Sequence, residues 1–189
     1  MVLKNEDVNK LGQQIIDMIP TEWSYIYFLS EVEVGKSSIS AEFYFQDAKT
    51  KEFVLSHDIP EKYSVSEDIY DSLLDELYDL VLKIYDTDLN LNGEIWDQLL
   101  MEINPKLQFK INFSYHALEG PESQVERRIF WAYDTIGLVP KDGSFGYKEL
   151  QEHLAEKNKN DIDIEKNVTE PLEDKNQHSP KKKKFFGLF

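Results

Sequence analysis

Apolar residues recur along this chain with two different periods. Over residues 4–19, Val8, Leu11, Ile15, Met18 and Ile19 fall at helical spacing, and Pro20 ends the run by pushing the residue before it out of the α region. The stretch "WSYIYFLSEVEV" (23–34) is aromatic, β-branched and partly alternating, which predicts a strand. "GKSS" turns the chain. In "ISAEFYFQ" (39–46), Ile39, Ala41, Phe43 and Phe45 alternate with Ser40, Glu42, Tyr44 and Gln46. "DAKTK" is a second turn and "EFVLSH" (52–57) a third, short strand, so the three form an antiparallel meander. The helical period returns over residues 66–86, the clearest helix in the chain. "IWDQLLMEI" (95–103) and "LQFKINFSYH" (107–116) flank "NPK" and predict a hairpin. Its second arm puts Leu107, Phe109, Ile111, Phe113 and Tyr115 on one face and Lys110, Asn112 and Ser114 on the other. A further helix opens at "GPES", where Pro121 suits the first turn and Glu122 the positive end of the dipole. It stops near Gly137, with Pro140 just beyond. "YKELQEHLAEK" (147–157) predicts a last short helix.

The order is therefore α-βββ-α-ββ-α-α. Strands arrive in hairpin-connected groups rather than alternating singly with helices. That pattern predicts an α+β fold: an antiparallel sheet of about five strands, meander plus hairpin, packed against helices. After about residue 158 the apolar period stops and Asn, Asp, Glu and Lys dominate. Such a segment cannot bury enough surface to offset the cost of ordering it. Residues 1–157 thus read as one α+β domain and 158–189 as a disordered tail. The tail ends in a basic-aromatic tip, Lys181, Lys182, Lys183 and Lys184 followed by Phe185 and Phe186. The tip could touch an anionic membrane or a partner weakly, but it is too short to anchor the chain alone.

Composition narrows the chemistry. The chain has no cysteine, which excludes a disulfide framework, thiol catalysis and thiolate zinc sites and fits a reducing cytoplasm. The N-terminus lacks a basic region and a continuous apolar core, so it does not read as a secretory signal, and no apolar run is long enough to span a membrane. The formal net charge is −15. Residues 1–150 hold 13 Lys+Arg and 28 Asp+Glu, a balance of −15, while residues 151–189 hold 8 of each. The excess sits on the part expected to fold. An acidic body repels nucleic acid and anionic lipid and favours basic partners, although many proteins are acidic simply for solubility.

His57 beside Asp58 resembles the metal-binding pair of phosphohydrolases. That chemistry needs further His and Asp ligands on neighbouring helices. Here the pair follows a strand, and the only companion at hand, His116, ends another. HExxH, GxSxG, P-loop and Gly-rich dinucleotide motifs are all absent. A metal-dependent phosphohydrolase centred on His57 and Asp58 is one alternative function, and a membrane-proximal adaptor using the C-terminal tip is another. The preferred reading makes His57 and Asp58 polar groups that tie down the turn fixed by Pro60, with no catalytic residue, metal or cofactor. Trp131, next to the helix end at Gly137, reads as core or half-core.

The 66–86 helix is more informative. Ser66 as N-cap lets Val65 and Tyr70 form a hydrophobic staple and puts Glu67 and Asp68 in the first turn. Ile69, Leu73, Leu77, Leu80, Val81 and Ile84 give a wide apolar stripe. Asp68, Asp71, Asp75, Asp79 and Asp86 fall at steps of three, four, four and seven, so they share another face. From Glu67 to Asp88 there are eight acids and one base, Lys83. Like charges four apart repel by about 0.2–0.5 kcal/mol per pair, and aspartate is a mediocre helix former. A face chosen only for solubility would gain from interspersed lysine. This one accepts a stability cost, which fits binding; a plain solvated face is the competing reading.

"IIDMIPTEWSYIYFLSEV", "FVLSHDIPEKYSVSEDIYDSLLDELYDL" and "GPESQVERRIFWAYDTIGLVP" together resemble the YezG-like antitoxin family. These are immunity proteins of Gram-positive bacteria that neutralise nuclease toxins exported by type VII secretion. The resemblance covers residues 8–141 in order and is carried by Ile19-Pro20, Glu22-Trp23, Ser56 to Pro60, and Gly120-Pro121 through Trp131 to Gly137 and Pro140. It implies a cytoplasmic protein that binds the nuclease domain of its toxin in the producing cell and blocks it; the charge argument adds that this domain is basic and that the protein does not bind nucleic acid itself. The resemblance brings no catalytic or interface residues with it. Asp68, Asp71, Asp75 and Asp79 are expected to meet the toxin on the charge argument alone.

Overall fold

The computed structural model describes residues 5–92 and 95–168. Residues 169–189, which include the Lys181–Phe186 tip, lie outside them. The chain divides into two compact units, Met1–Ser123 and Gln124–Phe189.

The first unit is the expected α+β layer pair. Helix α1 (Asn5–Asp17) leads into strands β1 (Trp23–Val32), β2 (Ile39–Asp47) and β3 (Phe53–Leu55). A 3-10 turn at Ser56–Asp58 and a short helix α2 (Ile59–Tyr63) precede the long helix α3 (Glu67–Asn92). Strands β4 (Gln98–Ile103) and β5 (Phe109–Ser114) close the sheet, which is antiparallel throughout in the order β3-β2-β1-β4-β5. The meander and the hairpin are thus joined by pairing β1 with β4. Ile26 lies opposite Phe45 and Ile103, and Phe28 opposite Phe43 and Met101. A period of two puts these residues on one face. That face packs against Val8, Leu11 and Ile15 of α1 and Leu77, Val81 and Ile84 of α3 in one buried core. Gly12 lies over β4: a Cβ there would meet Ile103 and Met101 at 3.8 Å. Gln14 Nε2 donates to the Leu73 carbonyl of α3 at 2.9 Å, tying the two helices together.

Two local expectations are corrected here, and one turn falls where expected. The third strand stops at Leu55 rather than at residue 57, so His57 and Asp58 sit in the 3-10 turn. There Ser56 is buried, and its Oγ accepts the Phe43 N–H of β2 at 3.2 Å, which diverts the chain out of the sheet. Pro60 then opens a helix, at one of its first two positions. The turn from β1 to β2 uses Gly35 at φ 71°, a conformation a glycine adopts without strain.

In the second unit, α4 (Gln124–Ile136) packs on α5 (Phe145–Val168). The Phe130 ring stacks on His153 with centroids 3.9 Å apart, and Lys157 pairs with Asp134 at 3.8 Å. Helix α4 starts at Gln124, so Pro121 precedes it instead of occupying its first turn. Gly137, at φ 69°, ends it: its N–H donates to the Tyr133 carbonyl at 2.9 Å, the bond of an αL cap, and Leu138 N–H reaches the Ala132 carbonyl at 3.4 Å. Helix α5 continues to Val168, past the residue 157 at which the apolar pattern stops.

Candidate interaction surface

Helix α3 is set by its first residues. It begins at Glu67, which puts Ser66 at the N-cap position, and Tyr70 N–H donates to the Ser66 carbonyl at 3.0 Å. Ser64, two residues earlier, closes α2 with left-handed φ 55°. Val65 packs half-buried against the core and Tyr70 is buried, the two ends of the staple.

At about 100° per residue, Tyr70, Leu77, Val81, Ile84 and Asp88 fall in one arc of the helix, and all are buried. Asp68, Asp71, Asp75 and Asp79 fall on the opposite arc, and all are exposed. Ile69 lies between the two arcs and is 58% exposed, so the buried stripe begins at Tyr70 rather than at Ile69. Tyr85, which belongs to it, packs edge-on against Trp96 with ring centroids 5.1 Å apart.

The acids of α3 divide by position. Toward the C-terminal end they serve the fold. Lys83 Nζ meets Asp7 of α1 at 2.8 Å, Asp86 meets Lys36 at 2.5 Å, and Asp88 is fully buried. Toward the N-terminal end Asp68, Asp71, Asp75 and Asp79 make no ion pair among the described residues. Glu67 and Glu76 are exposed on the same half.

The remaining sequence-predicted residues are scattered. His57 Nδ1 meets the Tyr70 hydroxyl at 3.2 Å, so the 3-10 turn is fastened to the first turn of α3. Burial pushes the Tyr70 phenol up to about 12. Asp58 occupies the N-cap position of α2 without a side-chain capping bond, and it is exposed. His116 Nδ1 lies 2.7 Å from Glu119, and His153 stacks on Phe130. Trp131 is half-buried on α4. Among the described residues no group of three or more His, Asp or Glu side chains is placed to hold a metal, and no helix is long and apolar enough to cross a membrane.

The alternation in the sequence did not single out Tyr25. It is 44% exposed, at the point where the β1–β2 register shifts between Trp23 and Ile26. Phe109, at the start of β5, is 39% exposed. With Tyr27 they line a groove of about 330 Å³ at one end of the sheet. The broken alternation of "WSYIYF" is the only signal for it in the chain.

The first unit is a small α+β layer pair whose long helix carries four exposed aspartates with no ion pair among the described residues, and the comparisons place this chain among the immunity proteins. It belongs to the YezG-like immunity protein family, whose match spans residues 5–154. Immunity protein YezG of Bacillus spizizenii is 35% identical over 133 residues, covering 70% of this chain and 81% of that protein. Immunity protein YezG of Bacillus subtilis is 31% identical over 133 residues, with 70% and 87% covered. The type VII secretion system protein EsaG of Staphylococcus aureus is 26% identical over 153 residues, with 78% and 91% covered.

Proposed function

We propose that this protein neutralises a secreted nuclease toxin in the cytoplasm of the cell that makes it, by covering the toxin's basic cleft with the acidic face of α3. The observation that carries the reading is the set Asp68, Asp71, Asp75 and Asp79: exposed, opposite the buried stripe, and without an ion pair among the described residues. A nuclease needs a basic cleft for the phosphate backbone. An acidic surface complementary to that cleft speeds capture, by an amount that falls with salt. The membership in an immunity family supports a toxin as the partner. The net charge of −15 keeps the protein off nucleic acid. The test replaces the four aspartates with asparagine and measures association with the toxin against ionic strength. A lower on-rate and a flatter salt slope are expected; an unchanged rate and slope rule this surface out.

A further inference from the structure

The groove at the end of the sheet has a chemistry of its own. Tyr27 lies directly opposite Glu102 across the β1–β4 pair, and Glu102 lies opposite Lys110 across the β4–β5 pair. Tyr25, Phe109, Asn104 and Gln108 complete the walls. The Tyr27 phenol is held above its usual range, first by burial, then by the Glu102 carboxylate and then by Tyr25, so ring and carboxylate are close neighbours. Among the described residues Glu102 has only a loose ionic partner: Lys110 Nζ stands 4.0 Å away, with both side chains more than half exposed. An exposed pair of that geometry contributes little and gives way easily to a better cation.

Two tyrosines beside an exposed carboxylate fit one side chain better than any other. An arginine stacks its planar guanidinium on aromatic faces and pairs the same group bidentately with a carboxylate. Lysine can do neither as well, and an aliphatic side chain leaves Glu102 unused. A volume of about 330 Å³ admits one long side chain and lies at the lower end of ligand clefts. We infer that the groove formed by Tyr25, Tyr27, Phe109 and Glu102 receives an arginine side chain projecting from the protein partner. The inference rests on the reading of a basic partner, and it adds a second contact away from α3.

The experiment uses the full chain and a blocked amino acid, so that it depends neither on the toxin nor on α3. N-acetyl-arginine amide is titrated while the ring resonances of Tyr25 and Tyr27 are followed, with N-acetyl-lysine amide and N-acetyl-leucine amide as controls. Saturable shifts are expected with arginine, at an affinity at least about fivefold above that of lysine. Glu102→Gln should weaken arginine binding about tenfold. Lys110→Gln, which removes the competing cation, should strengthen it about twofold. The amide spectrum of the sheet reports that each variant is folded. Equal response to all three probes, or arginine binding indifferent to Glu102→Gln in a folded variant, overturns the inference. The variant with four asparagines on α3 should bind the arginine probe unchanged, so a failure of the acidic-face reading is seen separately. Loss of probe binding in that variant would assign the site to α3 and overturn the groove.

Discussion

The two halves of α3 place the same residue in opposite settings. In the C-terminal half, Lys83 links the helix to Asp7 of α1, Asp86 pairs with Lys36, and Asp88 is sealed inside. In the N-terminal half, four aspartates stand in a row on the exposed face with no ion pair among the described residues. Charge that stabilises a fold is paired within it. Like charges in an exposed row repel one another and lower the stability of the helix that carries them, a cost that a partner would offset under the proposed function. Helix α3 can carry the second kind because its other face is anchored along its length, from Tyr70 to Tyr85.

That contrast can be broken from the core side first. Leu77 is fully buried. Leu77→Ala should cost about 2–5 kcal/mol in urea unfolding, through lost burial and the cavity left behind. Next in size is an alkaline effect. The Tyr70 phenol is pushed up to about 12 by burial, against an ordinary value of 10.0. Above the ordinary value the unfolded chain releases this proton while the folded chain keeps it. The stabilising contribution is therefore whole below pH 10 and is lost as pH rises through about 12. Tyr70→Phe should flatten that part of the unfolding profile.

The charge comparison itself is sharpened by two variants of opposite sign. Replacing Asp68, Asp71, Asp75 and Asp79 with asparagine removes five like-charge pairs at i,i+3 or i,i+4, those with Glu67 and Glu76 included. Stability should rise by up to about 1 kcal/mol at low salt, and the gain should shrink as salt screens it. Lys83→Gln in the other half should lower stability, by about 0.5–1 kcal/mol, because it removes the partner of Asp7. If both sets of changes destabilise the chain, the two halves are not distinct.

Much of this was legible in the residues. The five strands and the long helix follow from apolar periods of two and of about 3.6. The pairing of β1 with β4 was not, because nothing local states which edge of a meander a distant hairpin joins. Helix α2 was missed because five residues with one buried apolar group, Ile59, show no period. Ile69 was taken into the stripe because it is apolar and four residues before Leu73. The structure buries Tyr70 instead, since its ring reaches the core while its hydroxyl finds His57. The acidic row was visible at once; that Asp68, Asp71, Asp75 and Asp79 make no ion pair among the described residues while Asp86 makes one was not, because Lys36 reaches Asp86 from fifty residues away in the chain.

The central claim is that the N-terminal half of α3 presents charge for capture. It is tested most directly by the association rate with the toxin as a function of ionic strength, for the wild-type chain and the variant with asparagine at 68, 71, 75 and 79. The account predicts a wild-type rate about tenfold or more above the variant's at low salt, with the two converging as salt is raised. Coincident rates and slopes across the whole range would contradict it.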